Sequence, residues 1–350
     1  MRSGNAGKGV RLLFALRRAG SVRELARLGG VSLNAARRFV SRMERFGRFK
    51  FVPDDGYFGL VRVAVFSLEG VVPGRLPPGT VAVREFLAAG SRVVAVLGLV
   101  PFELRSRFLG ELGGEMRLDF VVEAWEYRTW VPREDLMVFS SPTRYVHVMD
   151  RLWEVFEGER ARGPPRYVAG PRVPDEVDLK ILAGKLAWGP FARPGEIIAR
   201  VSRFTGERAA LSRQVVSYHY RRHVLPGWVC NTYHMYVDAS EVPFVAAVLR
   251  GREAAALARV LVYLPYSGVA YVGDGCAFYL GQVSCRALRD FYALASSADV
   301  EFPFGFMVMK FQLKYWVPFL WRFVGERGGR RVWRWPEKVE LRLRGGSRGK

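Results

Sequence analysis

The 350-residue chain carries 54 Lys and Arg against 33 Asp and Glu, a formal charge of +21. Half of its residues are hydrophobic and 13% are aromatic, which excludes a disordered chain, and the length predicts two or three structural units. Cys230, Cys276 and Cys285 are too few and too scattered for a disulfide framework, and the opening residues lack a secretory pattern, so a cytoplasmic location is expected.

The best membrane candidate, residues 302–324, is interrupted by Lys310, Lys314 and Arg322 and reads better as a strand buried on both faces. Only eight of the basic residues are Lys, and there are three Asn and three Gln, a composition that points to a hot, GC-rich source. The charge is not spread evenly. Residues 1–60 carry 13 basic and 4 acidic side chains, and residues 176–230 carry 9 and 4. Residues 61–160 carry 12 and 14, and residues 231–324 carry 8 and 7. Two basic blocks and a basic tail, separated by near-neutral regions, are the footprint of a polyanion binder.

In the first block, Val10, Leu13, Phe14 and Leu16 recur at helical spacing over residues 8–19. Ser21 caps a second helix with Glu24 as its capping-box partner, and Val22, Leu25 and Leu28 form its apolar stripe. Gly29 and Gly30 end that helix and Ser32 caps a third. There Leu33, Ala36, Val40 and Met43 face inward, leaving Asn34, Arg37, Arg38, Ser41, Arg42 and Arg45 outward. Residues 49–52, which include Lys50, and residues 57–60 flank Pro53-Asp54-Asp55-Gly56, a turn signal that predicts a hairpin. Three helices and a hairpin make a winged helix-turn-helix over residues 1–58.

Residues 59–157 predict strands at 60–68, 92–99 and 118–125, with helices at 81–89 and 102–112. Residues 158–175, rich in Pro, Gly and Arg, read as a linker. The second block, 176–229, repeats the first: a helix from Asp178, a second opened by Pro194, and a third at 213–224 capped by Ser212. On that third helix Val216, Tyr220 and His223 form the buried stripe, and Arg213, Gln214, Ser217, Tyr218, Arg221 and Arg222 point outward. Residues 230–324 predict a strand at 230–238, a helix at 241–264, two strands over 269–283, a helix at 286–296 and a strand at 302–313. The tail, 325–350, interleaves Trp333 and Trp335 with Arg327, Arg330, Arg331 and Arg334, suited equally to stacking on bases and to packing.

The runs VDLKILAGKLA, RPGEIIARV and LSRQVVSYHYRRHVLPGWV, in this order over residues 176–237, resemble the helix-turn-helix of archaeal Lrp/AsnC-type (feast/famine) transcription regulators. SVRELARLGGVSLNAARRFVSRMERFG in the first half is similar to the same module. The departure is the stretch 202–210, longer than the Gly-Leu-Ser turn of the family. The resemblance implies a ferredoxin-like βαββαβ domain after each helical unit, an amino-acid-like small-molecule effector, and a duplication with a period of about 165–170 residues, Val10 matching Val177. The chain is then a pseudo-dimeric monomer or a homodimer.

The expected fold class is α+β, with two winged helix-turn-helix units each followed by a ferredoxin-like domain. The expected function is sequence-specific binding of double-stranded DNA by a transcription regulator. Its site residues are Ser32, Asn34, Arg37, Arg38, Ser41, Arg42, Arg45, Lys50, Arg213, Gln214, Ser217, Tyr218, Arg221 and Arg222. A zinc site from His219, His223, Cys230 and His234 is not expected, because no Glu accompanies the pair and the spacing suits no common closed site. Gly273-Asp274-Gly275 reads as a hairpin turn rather than a phosphate loop. No P-loop or G-x-S-x-G is present, and neither an enzyme nor a cofactor is expected. Two alternatives stand beside the regulator. Sirohaem decarboxylases resemble Lrp/AsnC proteins in both modules, a fused pair would have this length, and their basic residues bind a carboxylate-rich tetrapyrrole. A tandem winged-helix replication initiator is the other.

Overall fold

The structure, a computed structural model, describes residues 7–141, 144–147, 151–206, 211–264, 266, 268–315, 317–337 and 341–342. The end of the 202–210 stretch and most of the tail beyond 337 lie outside the described residues.

The chain is α+β. It opens with α1 (Lys8–Leu16), α2 (Val22–Leu28) and α3 (Leu33–Met43). Ser21 and Ser32 accept the backbone N–H of Glu24 and Ala35, so both predicted caps form. Glu24 turns back to Gly20 N–H rather than to its cap. Leu12, Leu16, Leu25, Ala36, Phe39 and Val40 close this small core. Then come β1 (Gly47–Pro53), β2 (Leu60–Ser67), β3 (Arg75–Leu76), β4 (Thr80–Ala88), β5 (Ser91–Pro101), α4 (Arg105–Gly113), β6 (Phe120–Ala124), β7 (Glu126–Thr129), β8 (Met137–Ser141), β9 (Arg144–His147) and α5 (Leu152–Arg162).

The second half opens with α6 (Glu176–Trp188), α7 (Pro194–Thr205) and α8 (Arg213–His219), the last continued by one π-helical turn at Tyr220–Val224. Asp175 caps α6 in a reciprocal box with Asp178, Pro194 occupies the first turn of α7, and Ser212 caps α8. Ser212→Ala is expected to cost ~1 kcal/mol, read as a lower thermal midpoint. The chain continues through β10 (Trp228–Met235), β11 (Phe244–Arg250), α9 (Ala254–Leu261), β12 (Gly268–Val272), β13 (Cys276–Gln282), α10 (Cys285–Ser297) and β14 (Phe306–Tyr315). It ends with β15 (Val324–Arg327), β16 (Arg330–Trp333) and β17 (Leu341–Arg342).

One nine-stranded antiparallel sheet dominates, in the order β6-β2-β5-β4-β14-β11-β13-β12-β7. The order β6-β2-β5-β4 of the first half recurs as β14-β11-β13-β12 in the second, and β4 beside β14 joins them. The apolar strands sort by period two. Val61, Val63 and Val65 of β2 pack with Phe108 and Leu112 of α4, while Ala64 and Phe66 face the opposite core with Leu179, Ile181 and Ile197 of the helices. Ala247 and Leu249 of β11 pack on α9 and α10, and Ala246 and Val248 face the shared core. One face of the sheet therefore carries α4, α9 and α10, and the other packs on the helices of the second half, while α1–α3 pack on the β1–β10 ribbon.

Several expectations are corrected. The 49–52/57–60 hairpin does not form. β1 pairs instead with β10 across the two halves, Phe49 opposite Tyr233 and Lys50 opposite Thr232. Gly56–Phe58 makes a single 3₁₀ turn that Gly59, at φ 67°, passes straight into β2. The helix expected at 81–89 is β4, because a β-branched run between Gly79 and Gly90 finds partners on both sides. The helix expected at 241–264 splits into β11 and α9 at Gly251 (φ 138°), where a Cβ would meet Asp299 O at 2.5 Å. The 230–238 strand forms as β10 but lies outside the nine-stranded sheet. The first residues of the expected linker belong to α5, and Tyr167 in the remainder stacks on Phe102 at 4.0 Å. The turn at 273–275 joins β12 to β13 as expected. The tail aromatics pack: Trp335 is buried edge-on to Phe323, and Trp333 covers Gly59. No helix among the described residues is long and apolar enough to cross a membrane.

Candidate functional site

A cavity of about 910 Å³ lies between the sheet and the β1–β10 ribbon, with walls from both halves. At about 30 Å³ per water it has room for roughly thirty water molecules. Its floor is the inward register of the sheet: Arg62 of β2, Ala82 and Arg84 of β4, Leu97 and Leu99 of β5, Tyr271 of β12 and Phe278 of β13. Phe49, Lys50 and Phe51 of β1, the turn Gly189–Phe191 after α6, and His234 and Tyr236 complete it, with Arg200 of α7 at the wall. The turn after α6 is fixed by the buried Lys185, whose Nζ donates to Pro190 O at 2.6 Å and Ala192 O at 2.8 Å. Burial lowers the Lys185 pKa to about 8.

The lining residues supply five cations (Arg48, Lys50, Arg62, Arg84 and Arg200) and one carboxylate, Glu44. Arg62 is held in a fork by Asp55 just outside the lining, at 2.6 and 3.2 Å, and lies flat over Tyr127 at 3.9 Å. Arg200 stacks on Trp188 at 5.5 Å. The field inside is positive, and the neighbouring groups register it. Burial and then Arg48, Arg84 and Arg62 pull the Lys50 pKa down. Burial, Lys50 and Arg84 pull His234 down to about 3, so its imidazole is neutral at pH 7. His234 Nε2 sits 2.6 Å from Thr129 Oγ1, which ties β10 to the end of β7. Burial raises the Tyr236 phenol despite Arg84 and Arg48. Cations, protonatable groups and aromatic faces thus surround one large space.

The expected DNA-contacting residues divide. Ser32, Asn34, Arg37, Arg38, Ser41, Arg42 and Arg45 are exposed along α3 and its ends, and Arg37, Arg38, Arg42 and Arg45 make no ion pair among the described residues. Ser32 is also spent as the cap. Arg213, Gln214, Tyr218, Arg221 and Arg222 are exposed on α8 and its π turn, whereas Ser217 is half-buried. Tyr218 lies edge-on to His219 and His223. Lys50 is the exception: it belongs to the cavity and not to the outer face, because β1 pairs with β10 rather than forming a wing.

His219 and His223 do not meet Cys230 or His234. They converge instead on Asp178, with Nδ1 atoms 2.9 and 3.0 Å from Asp178 Oδ1. Asp175, His219, His223 and Asp178 place one ligand-type atom each within 4.8 Å of the others. The three cysteines are free, and burial raises the Cys230 thiol to about 11, so it is an inert core thiol.

No family model matches the chain, and no curated protein matches it. Among solved structures it is similar to the siroheme decarboxylase NirDL, at 10% identity and a TM-score of 0.36, covering 88% of this chain and 93% of that one. It is similar also to the same protein in complex with an iron-uroporphyrin III analogue, at 9% identity and a TM-score of 0.37, covering 89% and 95%. A likeness at this level says nothing of what the chain does.

Proposed function

We propose that the chain binds a large, planar, carboxylate-rich ligand of the tetrapyrrole class in the central cavity and decarboxylates it there. The observation that carries this is the cavity itself, about 910 Å³ in volume, with five cations against one carboxylate among its lining residues. That volume stands near the top of the usual ~300–1,000 Å³ range for ligand pockets, and an amino-acid-like effector would leave most of it unfilled. Phe49, Phe51, Trp188, Phe191, Tyr271 and Phe278 offer flat apolar surface to a macrocycle. Arg48, Lys50 and Arg84 offer charge-assisted bonds to carboxylates on its rim.

In this reading each half is a helix-turn-helix unit followed by a ferredoxin-like sheet unit, and the two halves close on one another around the ligand. Decarboxylation needs no motif of the P-loop or nucleophile-elbow kind. A carboxylate leaves as CO2, its bonding electron pair stays on the ligand carbon, and one proton replaces it. Lys50, a stronger acid than an ordinary lysine because burial and the neighbouring arginines lower its pKa, is the candidate donor. The test is anaerobic incubation of the full chain with sirohaem, followed by mass spectrometry. Loss of CO2 units from the ligand, abolished in Lys50→Met, supports the reading; an unchanged ligand overturns the catalytic half of it.

The exposed α3 arginines favour a second reading, in which the outer face holds double-stranded DNA as a regulator would. Arg37→Ala and Arg221→Ala are each expected to weaken duplex binding and to lower its salt slope by about one. Binding that is unchanged in both variants at every salt concentration removes DNA from the account.

A further inference from the structure

We infer that Asp175, Asp178, His219 and His223 form a zinc site that clips the third helix of the second half to the first. This is independent of the ligand in the central cavity. Each carboxylate is split between two tasks. Asp175 Oδ1 accepts Asp178 N–H and Asp178 Oδ2 accepts Asp175 N–H, so the capping box fixes both side chains by their outer oxygens. The remaining oxygens turn to the histidines: Asp178 Oδ1 lies 2.9 and 3.0 Å from the two Nδ1 atoms, and Asp175 Oδ2 lies 3.3 Å from that of His219. Tetrahedral ligands about 2.0–2.1 Å from Zn²⁺ stand about 3.3 Å apart, so small shifts of these side chains would admit the ion.

The donor set of two imidazoles and two carboxylates suits zinc, and its two negative charges match the ion. Three of the side chains are only 14–16% exposed and Asp178 is 1% exposed. A second observation points the same way. His219 and His223, four apart, share one face of the helix, and His223 lies in a π turn at Tyr220–Val224, an irregularity of the kind that recurs at functional sites. Arg172, 3.1 Å from Asp178 Oδ2, supports that carboxylate from outside the donor set. Arg331 stands 3.9 Å from Asp175 Oδ2, on the donor side, and must yield a little as the ion enters.

The experiment uses the full chain, stripped with EDTA, dialysed and titrated with Zn²⁺ against a chromophoric chelator, with Co²⁺ as a spectroscopic substitute. One Zn²⁺ per chain, intense visible bands of tetrahedral Co²⁺ and a raised melting temperature are expected. His223→Ala, which leaves the capping box intact, is expected to weaken Zn²⁺ binding at least a hundredfold and to abolish the Co²⁺ bands. Stripped wild type that takes up no Zn²⁺ and melts at the same temperature with and without it would reduce the cluster to a hydrogen-bonded knot. Equal Zn²⁺ binding by wild type and His223→Ala would place the ion elsewhere. Either result overturns the inference, and neither bears on the central cavity.

Discussion

Replacing Arg84 by Met is expected to weaken binding of iron uroporphyrin III about ten- to hundredfold, as followed by absorbance titration. Arg84 stands on β4, the strand that joins the two halves of the sheet, and its side chain opens into the cavity from the floor. A charge-assisted bond to a ligand carboxylate contributes about 1.5–3 kcal/mol, and each 1.4 kcal/mol is a factor of ten. Met keeps the volume and apolar character of the stem and gives up only the guanidinium, whose Nη1 donates a weak bond to Met309 Sδ at 3.7 Å, so the loss reports the charge. Arg84→Lys keeps the charge but not the fork and is expected to fall between the two. Arg37→Ala on the outer face is expected to leave this affinity alone. Equal affinities in Arg84→Met and wild type would mean that no ligand carboxylate reaches the sheet floor.

The second large effect is acid lability through His234. The imidazole is buried, and burial with Lys50 and Arg84 keeps its pKa near 3, against 6.5 when exposed. The sign follows from proton counting. Between pH 6.5 and 3 the unfolded chain binds a proton at this residue that the folded chain refuses, so stability falls as pH falls through that window. With the slope rising from half of ~1.4 kcal/mol per pH unit at pH 6.5 to the full value below it, lowering the pH to 4.5 is expected to cost about 2 kcal/mol from this residue alone. His234→Gln, which keeps a polar partner near Thr129 and cannot take up the proton, is expected to lose correspondingly less over the same interval. Parallel denaturation midpoints of the two proteins from pH 7 to 4.5 would show that His234 does not resist protonation. A bound polycarboxylate would screen the same cations and shift the acid transition of the wild type downward.

The helical units were legible residue by residue. Ser21, Ser32, Pro194 and Ser212 mark helix starts that form, and the inward stripes Ala36–Val40 and Ile197–Val201 are buried. Caps and 3.6-residue stripes are local, and local rules read them. The sheet was only half legible. β2, β5 and β6 announce themselves by apolar runs, but β4 and β11 read as helices because short apolar segments carry no period that separates the two states. Their partners, β14 with β4 and β13 with β11, lie far away in the chain.

The cavity leaves no sign in the sequence, for the same reason. Arg62 is the one charge in β2 and Arg84 sits beside only Glu85 in β4, a local oddity that signals an inward charge, yet only pairing across the halves shows that the two arginines face one space. Pro53-Asp54-Asp55-Gly56 looks like a hairpin turn that would place Lys50 in a wing; the chain prefers β10 as a partner, and the lysine turns inward with it. His219 and His223 lack their carboxylates in the local sequence, since Asp175 and Asp178 precede them by some forty residues and meet them only when α6 packs against α8 and its π turn.

The most direct measurement is an absorbance titration of the full, tag-free chain with iron uroporphyrin III at several salt concentrations, with random duplex DNA titrated into the same preparation. A saturable shift of the main porphyrin band at one ligand per chain, persisting when duplex DNA is in excess, is the result predicted for a tetrapyrrole held in the central cavity. Absence of saturable porphyrin binding, with duplex DNA bound steeply and salt-dependently, would contradict it and return the chain to the DNA-reading account.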